Sequence, residues 1–575
     1  MTTERTRLGP TLDADLDTAL AAWRDGDGMG RLWRRDADLW TGADEARWVG
    51  WLTLADAPGD QSGVLTLVEQ LAEQLKDEGV TALLLLGMGG SSLAPEVLSR
   101  VLSGADGAPR LHVLDSTDPA QVRRVETGLD LTRTLCIVSS KSGTTLEPTL
   151  LTDYFFGRIE AAVGPGHAGA RFVAITDPGS RLESLASQRG FRAVFPGVPS
   201  VGGRFSALSN FGVVPAALTG IDVTSLLGRA RAMRQACGPD VAPDQNPGAR
   251  LGLALGIAAQ HGRDKVTLLL SPAITALAGW LEQLLAESTG KAGHAVIPVV
   301  AEDLATPDAY GDDRLFVVMR LKGAVEPRQA CVNALVDAGH PVIELMLDHP
   351  LDVGAEFFRW EVATAVCGAV LGVNPFDQPD VEASKIETTA LADAYERGFP
   401  LPVETPLAIH DGFTLFAGSA VSARLTQMAG PDARLEDLVA AHLNLARPGD
   451  YVALLAYLDM SEANHAALQR IRHLVRDRRG VATSVGFGPR FLHSTGQAFK
   501  GGPDSGVFLQ VTCDDANDVA IPGRRVTFGV VKAAQALGDF RVLTQRGRRA
   551  LRVHLSGDVG AGLDRLEQLV LAGLE

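Results

Sequence analysis

Between residues 61 and 222 the sequence repeats one pattern: a short apolar run, a turn rich in Gly, Ser or Asp, and a helix-like segment. Four apolar runs predict buried strands, at 81–86, 111–114, 135–138 and 171–176. Strand, turn and helix recurring in this order predict a doubly wound, mostly parallel α/β sheet. In such folds ligands bind outside the carboxyl ends of the strands, so the turns at those ends are where we expect a site.

The turn after the third run reads Ser139-Ser140-Lys141-Ser142-Gly143-Thr144-Thr145. It contains five side-chain hydroxyls in seven residues and precedes a helix-like segment, 150–161. The first-turn N–H groups of a helix have no intrahelical partner and the helix dipole favours negative charge, so this point suits a phosphate monoester. Ser and Thr also cap helices and shape turns, and that structural interpretation stays open.

Two other Gly-rich segments lie near it in sequence. The turn after the first run, Gly87-Met88-Gly89-Gly90-Ser91-Ser92, is not the dinucleotide fingerprint, because the third glycine and the acidic ribose ligand are missing. The second segment reads Val201-Gly202-Gly203-Arg204-Phe205-Ser206. Its glycines let the backbone approach a ligand closely with Arg204 as the side-chain donor, although a surface salt bridge is an equal alternative.

Composition limits the partners. The net charge is −16 with no long Lys/Arg block, which argues against nucleic acid or an anionic membrane surface. The five scattered cysteines form no Cys-x-x-Cys pair and indicate neither a disulfide framework nor a zinc site. The N-terminus lacks the apolar core of a signal peptide, and no apolar run approaches the ~20 residues of a membrane span. We expect a cytoplasmic protein.

A second unit begins near residue 223, with strands predicted at 265–270, 315–319 and 342–346 and helices at 273–288 and 356–371. Gln283 and Glu287 are four apart, so both point to one face of the helix. A carboxylate in this position suits a general base, and Glu287 is the candidate. A Glu at a helix end is otherwise usually solvated.

Residues 374–385 follow, and Pro379 predicts a helix start with Asp377 or Gln378 before it. Lys385 is then about two turns into the helix, so one side of it could present both Gln378 and Lys385. The alternative is that Lys385 is one more solvated helix lysine.

These patterns divide the chain into four parts. Residues 1–60 hold five of the seven tryptophans, at 23, 33, 40, 48 and 51, and predict a helical lead-in that packs an aromatic face onto a larger body. We assign 61–222 and 223–399 to two αβ domains and 400–575 to a third αβ unit, with a Pro/Gly-punctuated, more helical connection at 400–448.

The third unit looks like a worn copy of the second. Strand 265–270 corresponds to 451–456, the helix of Glu287 to the one ending near Arg478, strand 315–319 to 507–510, and the helix of Phe357 to that of Phe528. The second unit has Glu287 and no His near Tyr310, whereas the third has His493 there and no Glu in place of Glu287. One copy has kept the carboxylate and the other the imidazole.

Together these segments resemble the glucose-6-phosphate isomerase family over roughly residues 60–395. The matching motifs are Gly87-Met88-Gly89-Gly90-Ser91, Ser140-Lys141-Ser142-Gly143-Thr144-Thr145, Val201-Gly202-Gly203-Arg204-Phe205-Ser206, Gln283-x-x-x-Glu287-Ser288-x-Gly290-Lys291 and Asp377-Gln378-x-x-Val381-Glu382-x-x-Lys385. The nearest likeness is to the isomerase half of bifunctional transaldolase/glucose-6-phosphate isomerase fusions. No transaldolase part is recognisable, so the resemblance implies isomerase activity only.

The resemblance implies two sugar-isomerase (SIS) domains, with the third unit as a degenerate repeat, and no metal or other cofactor. It implies that a phosphorylated hexose binds through Gly90, Ser91, Ser140, Lys141, Ser142, Thr144, Thr145, Gln283 and Gln378. His493 and Lys385 would assist ring opening, Glu287 would shuttle the proton between C1 and C2 of a cis-enediol, and Arg204 would stabilise the enediolate.

The histidine departs from the family pattern. Most members carry it between the glutamate and the Gln…Lys motif, and in their dimers a partner subunit supplies it. Here it follows Lys385, which leads to the hypothesis that the third unit replaces the partner and completes the site within one chain, whether monomer or homodimer. Two alternatives stay open: a dual phosphoglucose/phosphomannose isomerase, and a non-catalytic phosphosugar-binding SIS protein.

Overall fold

The computed structural model describes residues 3–56, 58–324, 329–430 and 432–574, with the backbone alone for residue 3 and residues 58–62. The strands of these residues are β1 Thr3–Arg7, β2 Ala82–Leu86, β3 Arg110–Leu114, β4 Thr134–Ser139, β5 Phe172–Thr176, β6 Ala193–Pro196, β7 Lys265–Leu270, β8 Ile297–Val299, β9 Arg314–Leu321, β10 Val342–Leu347, β11 Ala408–His410, β12 Phe413–Ala417, β13 Tyr451–Tyr457, β14 Ala482–Phe487, β15 Gly506–Cys513 and β16 Arg549–Leu555.

The helices are α1 Pro10–Asp25, α2 Gly28–Trp33, α3 Pro58–Asp77, α4 Leu93–Val101, α5 Pro119–Thr127, α6 Leu146–Val163, α7 Arg181–Gln188, α8 Asn210–Leu218, α9 Val223–Ala236, α10 Pro247–Gln260, α11 Leu277–Thr289, α12 Gln329–Asp337, α13 Val353–Leu371, α14 Pro379–Glu396, α15 Ser419–Ala429, α16 Leu435–Leu443, α17 Glu462–Arg479, α18 Gly496–Gly501, α19 Phe528–Gln545 and α20 Val559–Leu574. The alternation of strands and helices confirms the predicted α/β class.

The first sheet is parallel throughout, in the order β3-β2-β4-β5-β6. Its four predicted strands are confirmed, and β6 is an addition at the edge. From β2 the chain continues to β3 on one side and then to β4 on the other, so the strand order switches between β2 and β4. Open α/β sheets bind ligands at such a switch point. The Gly-rich turn after β2 and the hydroxyl-rich turn after β4 therefore lie side by side there.

The second sheet has the order β8-β7-β9-β10-β1. Strands β7 to β10 run parallel, and β1 pairs antiparallel with β10 at the edge. This N-terminal strand was not expected in a helical lead-in. The predicted aromatic packing of the lead-in is confirmed, because Trp51 stacks on Phe205 with ring centroids 5.4 Å apart and the Trp40 indole donates to the Ala365 carbonyl.

The third sheet has the order β11-β12-β16-β15-β13-β14. Strands β13 to β16 are parallel in the arrangement of β7 to β10, and β12 pairs antiparallel with β16 as β1 does with β10. The predicted repeat is therefore confirmed in strand order and direction. One correspondence is wrong: α19, the helix of Phe528, joins β15 to β16 and so matches α12, whereas α13, the helix of Phe357, matches α20. The connection at 400–448 also contributes β11 and β12.

The third unit packs on both others. Its residues Val526 and Phe528 join the apolar cluster that covers β2 and β4 on the α6 side. Tyr451 and Phe508 share another cluster with Ile297 of the second sheet. The three units therefore meet around the carboxyl edge of the first sheet, where the sequence predicts the site.

All five cysteines are free thiols in the structure, and those at 136, 237 and 367 are buried. Among the described residues, no helix is both long enough and apolar enough to cross a membrane.

Candidate active site

The hydroxyl-rich turn leads directly into α6. Thr145 is the N-cap residue, but its side chain makes no capping hydrogen bond. The hydroxyls of Ser142 and Thr144 lie 2.7 Å apart, while the Ser140 hydroxyl accepts the Gly143 N–H and shapes the turn. Gly143 has φ +67°, which glycine tolerates best. Ser142, Thr144 and Thr145 are thus presented beside the N-terminus of α6, as a bound phosphate requires.

Lys141 belongs to the same turn but has a different position. Its ammonium lies 2.8 Å from Asp177 and donates to the carbonyl of Val198 at 3.0 Å. These partners tie the turn to the loops after β5 and β6. The Lys141 side chain therefore anchors the hydroxyl-rich turn.

A cavity of about 520 Å³ opens beside Ser142, Thr144 and Thr145. All three units line it, with Glu147 from α6, Lys385 from α14, and His493 and Gln535 from the third unit. The Lys385 side chain is 40% exposed, and its ammonium lies 3.7 Å from Glu382. A cation facing the cavity beside the hydroxyls suits an anionic ligand.

His493 and Glu147 form a hydrogen-bonded pair in the lining of the cavity. His493 Nε2 lies 2.9 Å from Glu147 Oε1, and both side chains are largely buried. Burial acts to raise the pKa of Glu147, but the charge and hydrogen bond of His493 outweigh it and hold that pKa below its usual range. Glu147 is therefore ionised at neutral pH and orients the imidazole.

The sequence analysis did not assign roles to Glu147 and Gln535. Glu147 lies in the first turn of α6, where an acidic residue suits the helix dipole, and that position was the available signal. Gln535 Nε2 donates to Glu147 Oε1 at 2.7 Å across 388 residues of sequence. Nothing in the local pattern around Gln535 indicates that contact.

Glu287 lies in a neighbouring cluster rather than in the lining of the cavity. Gln283 Nε2 donates both to Glu287 Oε2, at 3.1 Å, and to the carbonyl of His493, at 2.7 Å. The predicted common face of Gln283 and Glu287 is confirmed. The side chain of His493 lines the cavity, and its backbone carbonyl accepts the hydrogen bond from Gln283. His493 therefore links the cavity to the cluster around Glu287.

Arg204 holds the Glu287 cluster together from a site that is 3% exposed. Its Nη1 lies 3.3 Å from Glu287 Oε1 and donates to Gln378 at 3.0 Å. The other donors reach the Ser288 hydroxyl and the backbone carbonyls of residues 375 and 377. The guanidinium is therefore not the surface salt bridge left open above, but a clamp between α11 and the loop before α14.

Lys291 clamps the same loop. Its ammonium donates to the carbonyls of Ser288 and Asn374 and pairs with Asp377 at 2.9 Å. Burial, followed by the nearby charge of Arg204, lowers its pKa to about 7. The motif matched to the family contains this lysine, but the sequence analysis gave it no role.

The Gly-rich turn after β2 fits between these groups. A Cβ on Gly89 would stand 2.7 Å from Gln283 Nε2 and 3.0 Å from the His493 carbonyl, and one on Gly90 would stand 2.0 Å from the Gly203 carbonyl. The buried Ser91 follows. Glycine is needed here because the backbone contacts both α11 and the third unit.

This chain is similar to known proteins. A model of the phosphoglucose isomerase family matches residues 73–307. The glucose-6-phosphate isomerase of Rubrobacter xylanophilus is 31% identical over 375 residues, covering 56% of this chain and 84% of that protein. That of Thermosynechococcus vestitus is 32% identical over 402 residues, covering 60% of this chain and 74% of the relative.

Two solved structures share the fold. A hypothetical protein from Thermus thermophilus is 25% identical with a TM-score of 0.58, covering 68% of this chain and 99% of its own. The glucose-6-phosphate isomerase of Chlamydia trachomatis is 21% identical with a TM-score of 0.51, covering 65% of this chain and 79% of its own. The sequence relatives carry the assignment, since this chain spans most of their length: it belongs to the phosphoglucose isomerase family.

Proposed function

We propose that this chain interconverts glucose 6-phosphate and fructose 6-phosphate through a cis-enediol. The observation that carries this proposal is the Gln283 amide, which contacts Glu287 and the backbone of His493 at once. It sets a carboxylate base next to an imidazole acid, and aldose–ketose isomerisation needs both. Family membership supports the same reaction.

The phosphate of the sugar binds at the N-terminus of α6. Ser142, Thr144 and Thr145 donate their hydroxyls, and the first-turn N–H groups add donors that have no intrahelical partner. Lys385, across the cavity, contributes a positive charge. Ser140 shapes the hydroxyl-rich turn and Lys141 anchors it. Gly90 and Ser91 belong to the neighbouring Gly-rich turn after β2.

Ring opening falls to His493, assisted by Lys385. The imidazole transfers a proton between the O1 hydroxyl and the ring oxygen of the hexose while Glu147 stabilises its charged form. Opening exposes the carbonyl, which makes the proton on the adjacent carbon acidic enough to be removed.

Glu287 then carries the isomerisation. Its carboxylate removes the proton from C2 of the open aldose and returns it to C1, while a second proton passes from O2 to O1, so no redox partner is needed. Arg204 holds Glu287 and Gln378 in register, and its charge favours the enediolate formed between the two steps. Gln283 orients the same carboxylate.

The site is complete within one chain, because His493 of the third unit meets Glu147 and Gln283 of the first two. Co-expression of Glu287→Gln with His493→Ala tests this. If sites form in cis, every chain carries one defect and no activity returns. If subunits exchange the histidine, half of the sites in mixed dimers are intact and activity reappears, which contradicts a cis site.

The reaction itself is tested with purified protein and fructose 6-phosphate, coupled to glucose-6-phosphate dehydrogenase and NADP. Steady NADPH formation is expected. Binding of the phosphosugar without turnover would instead make the chain a binding protein. Turnover of mannose 6-phosphate at a comparable rate would identify the dual isomerase. A cytoplasmic location is part of the proposal and accords with the five free thiols.

A further inference from the structure

Gln535 of α19 contacts the hydrogen-bonded pair of His493 and Glu147. The glutamine side chain is buried, and its Nε2 donates to Glu147 Oε1 at 2.7 Å. Its Oε1 accepts from the Thr117 hydroxyl at 2.6 Å. One carboxylate oxygen therefore accepts both the imidazole of His493 and an amide from the third unit.

The chemistry of these groups leaves one orientation for the amide. An ionised carboxylate only accepts hydrogen bonds, so the group facing Glu147 must be the N–H side of Gln535. The Thr117 hydroxyl then donates to the carbonyl side. An amide does not titrate, so Gln535 stays a donor at every pH at which the protein is folded.

Helix α19 is anchored where it delivers this amide. Lys532, three residues earlier and on the same face, lies 2.9 Å from Asp118 Oδ2 and 2.6 Å from Asp515 Oδ1. Asp118 caps α5 and follows Thr117 directly. These two neighbours in the first unit therefore bind two residues of α19, Asp118 to Lys532 and Thr117 to Gln535. This docking fixes Gln535 relative to Glu147.

We infer that Gln535 is a positioning residue for ring opening: its hydrogen bond orients Glu147 and adds to the groups that favour the ionised carboxylate, and the carboxylate in turn fixes the tautomer of His493. A buried carboxylate stays charged only where hydrogen bonds and charges replace water. While Glu147 is ionised, His493 Nε2 must carry hydrogen, and Nδ1 is the atom that exchanges a proton with the sugar. This inference rests on the proposed isomerase function.

Other groups also affect the ionisation of Glu147, and they are the same in wild type and in the Gln535→Met variant. His493 and Lys385 favour its ionised form, and the phenol of Tyr457 is another titratable neighbour. Replacing Gln535 with methionine keeps the side-chain volume and leaves all three in place. The change isolates the amide.

Gln535→Met is expected to lower kcat/KM about tenfold on the acidic limb of its pH profile, where the ionisation of Glu147 limits the rate. The acidic limb of the kcat/KM profile should move up by about one pH unit, since one hydrogen bond to a charged group is lost. Gln510→Met is the matched control, because Gln510 Nε2 donates to Asp539 at 3.2 Å in the same unit, away from the cavity. Its acidic limb should not move.

An unchanged limb and rate in folded Gln535→Met would overturn the inference. If that variant does not fold, Thr117→Val replaces it. This change removes the hydrogen bond to the Gln535 carbonyl, so the acidic limb should shift in the same direction by a smaller amount. An unshifted limb in Thr117→Val would also contradict the inference. The ¹⁵N spectrum of labelled histidine, with His493 assigned by His493→Gln, reports the tautomer without turnover. The His493 signals should respond to the protonation of Glu147 at a pH about one unit higher in Gln535→Met than in wild type. A response at the same pH in both would refute the inference, whereas an inactive wild type refutes only the isomerase proposal.

Discussion

His493 Nε2 lies 2.9 Å from Glu147 Oε1 across 346 residues of sequence. The imidazole belongs to the third unit and the carboxylate to the first, so the pair exists only while the third unit is docked. The buried contacts of Val526 and Phe528 with the first sheet's core maintain that docking. The extra unit is thereby part of the active site and not an appendage to it.

His493→Ala should slow turnover of fructose 6-phosphate about a hundredfold, because general acid–base assistance to ring opening is lost. His493→Gln should be equally slow, since the amide can bond to Glu147 but cannot transfer a proton. Exchange between the two anomers of glucose 6-phosphate, followed by NMR, measures ring opening directly. His473→Ala, on α17, is the control and should be fully active. Wild-type exchange in His493→Ala would reject the assignment.

Thr145→Val should raise KM about tenfold and leave kcat and thermal stability nearly unchanged. The reason is that the Thr145 side chain makes no capping bond, so it is free for the phosphate. Ser461→Ala is the contrasting variant: Ser461 does cap α17, and its loss should cost about 1 kcal/mol with KM unaffected. Steady-state kinetics and melting curves separate the two. A drop in the melting temperature of Thr145→Val with unchanged KM would favour the capping interpretation.

Arg204→Lys should lower kcat/KM about a hundredfold, because an ammonium cannot reproduce the planar fork that reaches Glu287, Gln378 and two backbone carbonyls. Arg24→Lys, in an exposed ion pair with Asp244, should change neither activity nor stability measurably. The comparison uses initial rates at matched protein concentration. Near-wild-type activity in Arg204→Lys would mean that a point charge suffices there.

Lys291 predicts a pH dependence of stability. Its pKa is lowered from 10.5 to about 7 in the folded chain, by burial and then by Arg204. Between these values the unfolded chain holds more protons, so stability rises with pH, by up to about 1.4 kcal/mol per pH unit; below about pH 7 both states are protonated and the effect ends. The melting temperature of wild type relative to Lys291→Met should therefore increase from pH 7 to pH 9. A constant difference would contradict the lowered pKa.

Patterns within short stretches of sequence predicted the elements that depend on neighbouring residues alone. The strands of the first sheet and the shared face of Gln283 and Glu287 follow from apolar runs and helix spacing, and the structure confirms both. Strand order placed the turns after β2 and β4 together, as the alternation of strands and helices implied. The candidate site could be located from these features alone.

Contacts between distant segments could not be predicted in this way. The pairing of β1 with β10 adds an N-terminal strand that has no turn signal, and the Lys141 ammonium contacts Asp177 and Val198 on two other loops. The bond from Gln535 to Glu147 depends on how the third unit docks. Such partners are set by tertiary packing, which a single sequence does not display.

The most direct test of the account compares fructose 6-phosphate turnover by wild type, Glu287→Gln and Glu282→Gln. Glu282 neighbours Gln283 on α11 but has no role in the proposed chemistry, so its variant controls for the loss of a carboxylate from that helix. We expect wild type and Glu282→Gln to be active and Glu287→Gln to lose turnover by about 10³-fold or more. Activity that survives Glu287→Gln would contradict the assignment of the base and, with it, the mechanism proposed for this site.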